Sequence, residues 1–456
     1  MLLPINGRIA IIDDQIAHAT PLIKVLSKNQ LPHTYFSGEL EFLPEKKDDN
    51  NDIRVLFLDI NLIDNSEHEN KVLKSRLIPV LDRIISSKNY PYIIVYWSRH
   101  PHHKDLIEKD IFLNELKDKR PIGYLSANKS DFFDLTGGFT EDFDEKIKTL
   151  FESINVLFDN FYSYKILLNW ENTMHRSADR TLQEIFADFH YNDTWNDNSN
   201  CILSKLGNAF LGNYYSSASP QEKINACMIS FNSVFKDTLD SSMHKSSPFT
   251  DELLFNQENI SVSDIVFQIN EKLNLTKDIS DLHTPGNIIF YEEENPFKEL
   301  LNKVLSLFKL KNNILLEKPN IESAVLKKES SDEFKKIKIE IKKSWKKIGI
   351  IVTPICDYVQ KNNHIYNRIV KGVLIEKKYG EYIDSNSEAI FIFPFSIKIE
   401  DKEYLIVLDF RFFSTVEISS SISIDQIKYR IRQELLSEIQ SRLSRHINRQ
   451  GILFIN

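Results

Sequence analysis

Five residues in the first third of the chain are of the types that bind a metal ion and a phosphoryl group. Each follows an apolar run, and together they are Asp13, Asp14, Asp59, Ser98 and Lys129. Carboxylates that face one another repel unless a hard cation such as Mg²⁺ takes their oxygens as ligands. A lysine then supplies a positive charge for an incoming phosphoryl group, and a serine hydroxyl can donate to it. These residues therefore predict a magnesium and phosphoryl site, provided that they lie close together.

The apolar runs predict the elements that position these residues. Continuous apolar runs of this length are typical of strands that are buried on both faces, as in a parallel sheet covered by helices. The predicted strands are residues 9–12, 55–58, 93–97 and 122–125. Groups at the carboxyl ends of neighbouring strands in an open α/β sheet share one crevice, where such sheets bind ligands. We therefore expect the five polar residues at one edge of an α/β sheet.

The order of acidic pair, single aspartate, serine and lysine resembles the receiver domain of response regulators over residues 7–150. The resemblance implies a flavodoxin-like fold with a parallel five-stranded sheet, Mg²⁺ as cofactor and phosphorylation by a separate kinase. It also implies roles for six residues. Asp59 is the phosphoacceptor and a metal ligand, Asp13 and Asp14 are the metal-binding pair, and Asn61 offers its backbone carbonyl to the metal. Ser98 is the switch hydroxyl and Lys129 pairs with the phosphate.

The chain departs from the receiver pattern in three ways. Residues 37–53 contain Pro44 and the polar run 46–52, so the second helix of a receiver is expected to be short or missing. Ser130 follows Lys129, where receivers usually have a proline. The spacings from Asp59 to Ser98 and from there to the lysine are longer than in compact receivers. A pseudo-receiver that serves only as a docking module therefore remains an alternative.

Length and composition set the wider expectations. The chain has 456 residues, of which 42% are hydrophobic and 27% charged, so we expect two to four domains of ordinary globular composition. The formal net charge of −8 gives no overall attraction to nucleic acid or to an anionic membrane. No apolar run is long enough to span a membrane, and the amino terminus has no signal-peptide pattern. The sequence therefore favours a cytoplasmic protein.

Several common site patterns are missing from the sequence. Its 3 cysteines form no Cys-x-x-Cys pair, and neither GxGxxG nor GxxxxGK[ST] occurs, so kinase activity is expected to come from another protein. His100, His102 and His103 cluster after the Ser98 strand without a second group of ligands at metal spacing, which favours a solvated loop.

The chain from Phe139 to Leu206 contains neither glycine nor proline and has apolar residues at helical spacing. A receiver's last helix is therefore expected to continue through Trp170 towards Phe189 as a signalling helix. We predict a receiver-like domain at 1–150, a helical middle domain at 151–315 and an α+β domain at 316–456. Long amphipathic signalling helices often pair, so a homodimer is one expectation.

The C-terminal third offers two weaker signals. The segment from Lys327 to Lys347 holds nine lysines, which favours a solvated basic face but leaves contact with nucleic-acid phosphates open. A strand ending near Cys356 and Asp357, with His364 or His446 as base, is a candidate nucleophilic site, although a buried cysteine followed by a turn-capping aspartate is favoured. The region is weakly similar to uncharacterised modules of bacterial phage-conflict proteins.

Two functions follow. The first is a two-component signalling adaptor that takes a phosphoryl group on Asp59 from a histidine kinase or related ATPase and passes the change to its output domains. The resemblance places such a protein in bacterial antiphage defence, with other defence proteins as partners. The second is an effector, either a nuclease or a Cys-dependent hydrolase, whose receiver-like domain only docks. The first is better supported by the sequence.

Overall fold

The structure is a computed structural model of the 456-residue chain. It describes residues 3–46, 52–63, 66–99, 101–133, 139–186, 195–245, 263–279, 281–293, 297–359, 365–418 and 422–448. The chain divides into two compact units. The first comprises Met1–Asn196 and Phe231–Asp251, and the second comprises Asp197–Ser230 and Glu252–Asn456.

The first unit is built on a parallel five-stranded sheet. Its strands are β1 (Ile9–Ile12), β2 (His33–Phe36), β3 (Val55–Leu58), β4 (Ile93–Ser98) and β5 (Gly123–Asn128), in the order β2-β1-β3-β4-β5. Ile12 pairs with Leu58, which in turn pairs with Tyr96, so β1 and β3 end level with each other and β4 continues two residues further, to Ser98. The strand order reverses beside β1, and open α/β sheets bind ligands at such a switch point. The predicted α/β class is confirmed.

Helices cover both faces of this sheet. They are α1 (Ile16–Lys28), α2 (Asn70–Ile84) and α3 (Phe143–Asn160), together with a π-helical segment, Leu106–Glu115. Alternate strand residues face opposite cores: Phe57 and Trp97 pack in the core that includes α1 and α3, whereas Leu58 packs in the core that includes α2. Between β2 and β3 the described residues form only a 3₁₀ turn, Leu40–Phe42, where a receiver has its second helix.

The helical region after the sheet is interrupted at Phe161. Helix α3 ends one residue before it, and α4 (Tyr162–Phe186) begins one residue after it. The Phe161 ring packs so closely over Gly123 that a Cβ there would lie 2.6 Å from the ring. The expected continuous helix is therefore two helices, interrupted where the Phe161 side chain packs on Gly123 of β5. Its expected continuation to Phe189 lies outside the described residues.

Helix α4 is fixed to the amino end of the sheet by buried polar contacts. The Tyr164 hydroxyl donates to the carbonyl of Arg54, the residue before β3, over 2.7 Å. Glu171 accepts three hydrogen bonds from the Arg54 guanidinium, of 2.6 Å, 3.0 Å and 3.2 Å. Asn172 bonds the backbone of Leu3 and Ile5 at 2.8 Å and 3.1 Å. The helix thus contacts the end of the sheet opposite to Asp59.

The second unit contains a seven-stranded sheet whose paired strands are antiparallel, in the order β10-β11-β9-β8-β7-β12-β6. Its strands are β6 (Leu275–Thr276), β7 (Asn287–Tyr291), β8 (Lys346–Ile351), β9 (Tyr366–Glu376), β10 (Ile390–Ile399), β11 (Lys402–Glu417) and β12 (Ile427–Ile431). The remaining helices of the described chain are α5 (Trp195–Leu211), α6 (Pro220–Lys245), α7 (Ser263–Asn274), α8 (Phe297–Val304), α9 (Phe308–Glu317), α10 (Ser323–Ser344), α11 (Ile355–Val359) and α12 (Gln433–Ile447).

Helices pack on both faces of the antiparallel sheet. Ile439 of α12 lies in one core with Ile350 and Leu408, and Leu300 of α8 lies in the other with Val407. The lysine-rich segment from Lys327 to Lys347 forms most of α10 and then the start of β8. Among the described residues, no helix has both the length and the apolar character needed to cross a membrane.

Candidate functional site

Three carboxylates meet at the carboxyl edge of the parallel sheet. Asp13 and Asp14 follow β1, and Asp59 follows β3, whose ladder is extended by the Asp59 N–H donating to Ile12 O over 2.8 Å. One oxygen from each of the three carboxylates lies within 4.8 Å of the others. Asp13 is fully buried and Asp59 is 6% exposed, whereas Asp14 is only partly buried.

Lys129 joins two of these carboxylates. Its ammonium lies 2.7 Å from Asp13 Oδ2 and also donates to Asp59 Oδ2, and its side chain is 1% exposed. The residue opens a 3₁₀ turn directly after β5, and this turn is capped by Asn128 Oδ1, which accepts from Ser130 N at 3.0 Å. Ser130 therefore supplies an N–H that a proline would lack. Lys129 thus contacts Asp13 and Asp59 although the sequence separation between Ser98 and Lys129 is longer than in compact receivers.

The other oxygens of the buried pair are held by backbone donors. Asn61 N donates to Asp59 Oδ1 at 3.1 Å, and Gln15 N donates to Asp13 Oδ1 at 3.0 Å. The Asn61 side chain in turn binds the loop that follows it, donating to Ser66 O over 2.7 Å. Each buried carboxylate thus presents one oxygen to the backbone and the other to Lys129.

Burial sets the charge state of the cluster. It raises the pKa of Asp13 to about 7, with repulsion from Asp59 acting in the same direction and Lys129 opposing both. Burial and Asp59 also raise the pKa of Asp14. The Tyr35 hydroxyl donates to the Asp13 carbonyl over 2.7 Å, and burial beside these carboxylates raises the pKa of Tyr35 to about 12. The cluster is therefore more stable with a bound cation, or with one carboxyl group protonated, than with a second carboxylate charge that nothing compensates.

Ser98 lies at the same edge of the sheet. It is the last residue of β4, is fully buried and pairs with Asn128 of β5. Since β4 neighbours β3, Ser98 lies one strand away from the segment that carries Asp59. The structure thus brings the ends of β1, β3, β4 and β5 into one region, as the apolar runs predicted.

Two neighbours of the site were not predicted from the sequence. Tyr35 of β2 contacts Asp13, and His18 of α1 accepts at its backbone carbonyl from Trp97 Nε1 at 3.1 Å. Burial lowers the pKa of His18, with Lys129 and Arg99 acting in the same direction. His18 lies four residues after Asp14, one turn into α1, and this helical spacing is the only sequence signal for it.

The residues present fit a metal ion of the hard class. Their donors are three carboxylates, which are the oxygen ligands of such ions. When all are ionised, the three negative charges outnumber the single positive charge of Lys129. A cation at the cluster would compensate this excess. The chemistry of the cluster supports a metal site without fixing which metal fills it.

The candidate nucleophilic site in the second unit lies only partly within the described residues. The Asp357 carboxylate is paired with Arg368 Nη2 at 3.1 Å, and the His446 ring centroid lies 6.1 Å from that of Phe410. The Cys356 side chain and His364 lie outside the described residues. Asp357 therefore forms an ion pair with Arg368, and His446 packs against Phe410, a residue of the core.

Comparison of the chain with protein-family models, with curated proteins and with solved structures finds no match.

Proposed function

We propose that the first unit is a receiver domain in which Asp59 accepts a phosphoryl group in a Mg²⁺-dependent reaction. The donor is a separate histidine kinase or related ATPase, and the helices after the sheet transmit the change to the C-terminal output region. The observation that carries the proposal is the buried Lys129 ammonium between Asp13 and Asp59, at the carboxyl edge of a parallel sheet. The assignment to bacterial antiphage defence rests on the sequence resemblance.

The proposed transfer uses the Asp59 carboxylate as nucleophile. One of its oxygens forms a bond to phosphorus, while the bond from phosphorus to the donor nitrogen of a phosphohistidine breaks and that nitrogen keeps the electron pair. Bound Mg²⁺ supplies charge compensation for the three carboxylates and the phosphoryl oxygens. Lys129 changes partner from Asp59 Oδ2 to a phosphoryl oxygen while it keeps its contact with Asp13. Asp14, the least buried of the three carboxylates, marks the side open to solvent.

The same geometry supports a switch. An acyl phosphate at Asp59 adds charge and acceptor oxygens beside the end of β4, where the Ser98 hydroxyl can donate to it. Ser98 pairs with Asn128, which caps the turn carrying Lys129. A shift of either residue therefore moves the segment that leads to α3. The bistable element in this proposal is the pair of turns after β4 and β5.

The test is phosphorylation of the full-length protein by acetyl phosphate with and without MgCl₂, read by intact mass, together with beryllofluoride binding read by thermal shift. We expect one phosphoryl group per chain, dependent on Mg²⁺ and absent in Asp59→Asn. Asp110→Asn, which changes an exposed aspartate of the same domain, is the matched control and should react normally. Failure to form an adduct and failure to respond to Mg²⁺ would reject the proposal and leave a docking module.

A further inference from the structure

A second group of potential metal ligands lies in the segments that follow β3 and β4 and has a different chemistry from the acidic cluster. It consists of Glu67, in the loop between β3 and α2, and of His102 and His103, in the 3₁₀ turn Pro101–His103 after β4. One ligand atom from each residue lies within 4.8 Å of the others. We infer that these three side chains form a binding site for a divalent transition metal of the zinc class.

The donor set carries this inference. His102 Nε2 lies 3.2 Å from Glu67 Oε1, and the His102 and His103 ring centroids are 4.1 Å apart, so small side-chain rotations bring two imidazoles and a carboxylate around one ion. Imidazole nitrogens suit zinc, nickel, cobalt and copper, whereas Mg²⁺ prefers oxygen ligands alone. The two groups of ligands at this edge of the sheet therefore select different metals.

A supporting hydrogen bond sets the form of one imidazole. His103 Nδ1 lies 2.9 Å from Asn70 Oδ1. An amide oxygen only accepts, so Nδ1 is the donor and Nε2 of the neutral ring keeps the lone pair that a metal requires. Histidine ligands commonly have such an outer partner, which fixes the tautomer and the ring orientation.

Only the fold brings the third ligand to the histidines. The two histidines are adjacent in sequence, but Glu67 belongs to a separate loop, which is why the sequence by itself favoured a solvated segment. The Glu67 and His102 side chains are 71% and 56% exposed, so an ion reaches them directly from solvent. Their exposure also leaves coordination positions for water.

An ion at this site would join the loop after Asp59 to the segment after Ser98. Glu67 directly follows Ser66, whose carbonyl accepts from the Asn61 side chain, and Asn61 N donates to Asp59 Oδ1. The metal site is thus linked to the phosphoacceptor through two hydrogen bonds. An effect of zinc binding on the rate of Asp59 phosphorylation would rest on the proposed function. The metal site itself does not rest on it.

The test measures Zn²⁺ binding to the full-length protein by equilibrium dialysis, in excess MgCl₂ so that the acidic cluster does not compete for zinc. We expect one Zn²⁺ per chain, and Co²⁺ substitution should give the visible absorption bands of nitrogen and oxygen coordination. His102→Ala, His103→Ala and Glu67→Gln should each abolish the stoichiometric binding. Asn70→Ala should weaken it about 10- to 100-fold, as expected for an outer partner.

The controls separate this site from the acidic cluster. His175→Ala removes a histidine of α4 and should bind Zn²⁺ normally. Asp59→Asn should also bind Zn²⁺ normally, because the metal site does not depend on the proposed phosphorylation. Thermal melting of each variant verifies that it is folded. Unchanged Zn²⁺ binding in the folded His102→Ala and His103→Ala variants would overturn the inference, as would lack of binding by the unmodified protein.

Discussion

The Lys129 ammonium lies 2.7 Å from Asp13 Oδ2, and both side chains are almost completely buried. The lysine also binds Asp59, so it holds together the two carboxylates that would otherwise repel each other. The removal of one partner from a buried ion pair leaves an uncompensated charge, which commonly costs about 3 to 5 kcal/mol. Lys129 is therefore important for the stability of the site before any ligand binds.

Lys129→Met should lower the free energy of unfolding by about 3 kcal/mol or more without metal, because Asp13 and Asp59 then face each other in a buried site. Added Mg²⁺ should raise the melting temperature of this variant more than that of the unmodified protein, since the cation replaces the missing positive charge. Thermal melting across a MgCl₂ series measures both effects. Lys104→Met, at an exposed position, is the control. An equal rise of the melting temperature with Mg²⁺ in the unmodified protein, Lys129→Met and Lys104→Met would contradict the expectation.

Asp13→Asn should stabilise the metal-free protein at pH 8. The pKa of Asp13 is about 7 in the fold and 3.8 in the unfolded chain, so its ionisation destabilises the fold increasingly as pH rises from about 4 to about 7. At about 1.4 kcal/mol for each pKa unit, the gain has an upper limit of about 4 kcal/mol.

Denaturant unfolding of this variant at pH 5 and pH 8 provides the measurement. The stabilisation should be smaller at pH 5, where Asp13 is already protonated in the fold. The variant should also lose the Mg²⁺ response, because an amide is a weaker ligand than a carboxylate. A variant that is less stable than the unmodified protein at pH 8 would show that the ion pair with Lys129 outweighs the burial of the charge.

The contact between Arg54 and Glu171 should fix helix α4 to the sheet. Arg54 is 5% exposed, and Glu171→Ala leaves its guanidinium buried without this carboxylate. We expect a loss of about 2 to 3 kcal/mol, less than for a fully buried pair because the Glu171 side chain is 18% exposed.

Glu171→Gln should lose less stability than Glu171→Ala, since its amide oxygen still accepts from Arg54. Urea unfolding of both variants measures the difference. Glu152→Ala, at an exposed position of α3, is the control. Equal stability of Glu171→Ala and the control would show that α4 does not depend on this contact.

Glu376 at the end of β9 should make the second unit sensitive to acid. Lys378 and Lys402 lie 2.7 Å and 3.1 Å from its two carboxylate oxygens, and their hydrogen bonds, with one from Ser344, lower its pKa to about 2. A lowered pKa contributes stability above the unfolded value of 4.5, and this stability is lost as pH falls from about 4.5 to about 2.

Glu376→Gln should therefore reduce stability at pH 7 by about 1 to 2 kcal/mol, because both lysines are largely solvated and the pairs are screened. The difference from the unmodified protein should disappear near pH 2. Denaturation followed by circular dichroism at several pH values measures this, with the exposed Glu299→Gln as control. A difference that stays constant with pH would rule out the ionic contribution.

The sequence alone determined four of the five strands of the parallel sheet and the order of the polar residues that follow them. Runs such as 55–58 are apolar throughout because both faces of the strand are covered, and this pattern needs no knowledge of distant contacts. The polar residue after each run then had to lie at the carboxyl edge, because parallel strands end together. The polar composition of 46–52 likewise predicted a missing or short second helix, and only a 3₁₀ turn is described before it.

Tertiary structure decided the contacts between residues that are far apart in the chain. The spacing before Lys129 gave no indication that its ammonium reaches Asp13 and Asp59, because a π-helical segment and turns take up the extra residues. The continuous helix expected after residue 139 breaks at Phe161, where an aromatic ring packs over Gly123. Packing at one point thus overrode a local helical pattern.

The same holds for Glu67 and the two histidines, which only the juxtaposition of two loops brings together. In the second unit, β7 joins β8 and β12 from distant parts of the chain, and no local period predicts that pairing. Local patterns report which face of an element is buried. They do not report which partner buries it, since that depends on packing free energy summed over the whole fold.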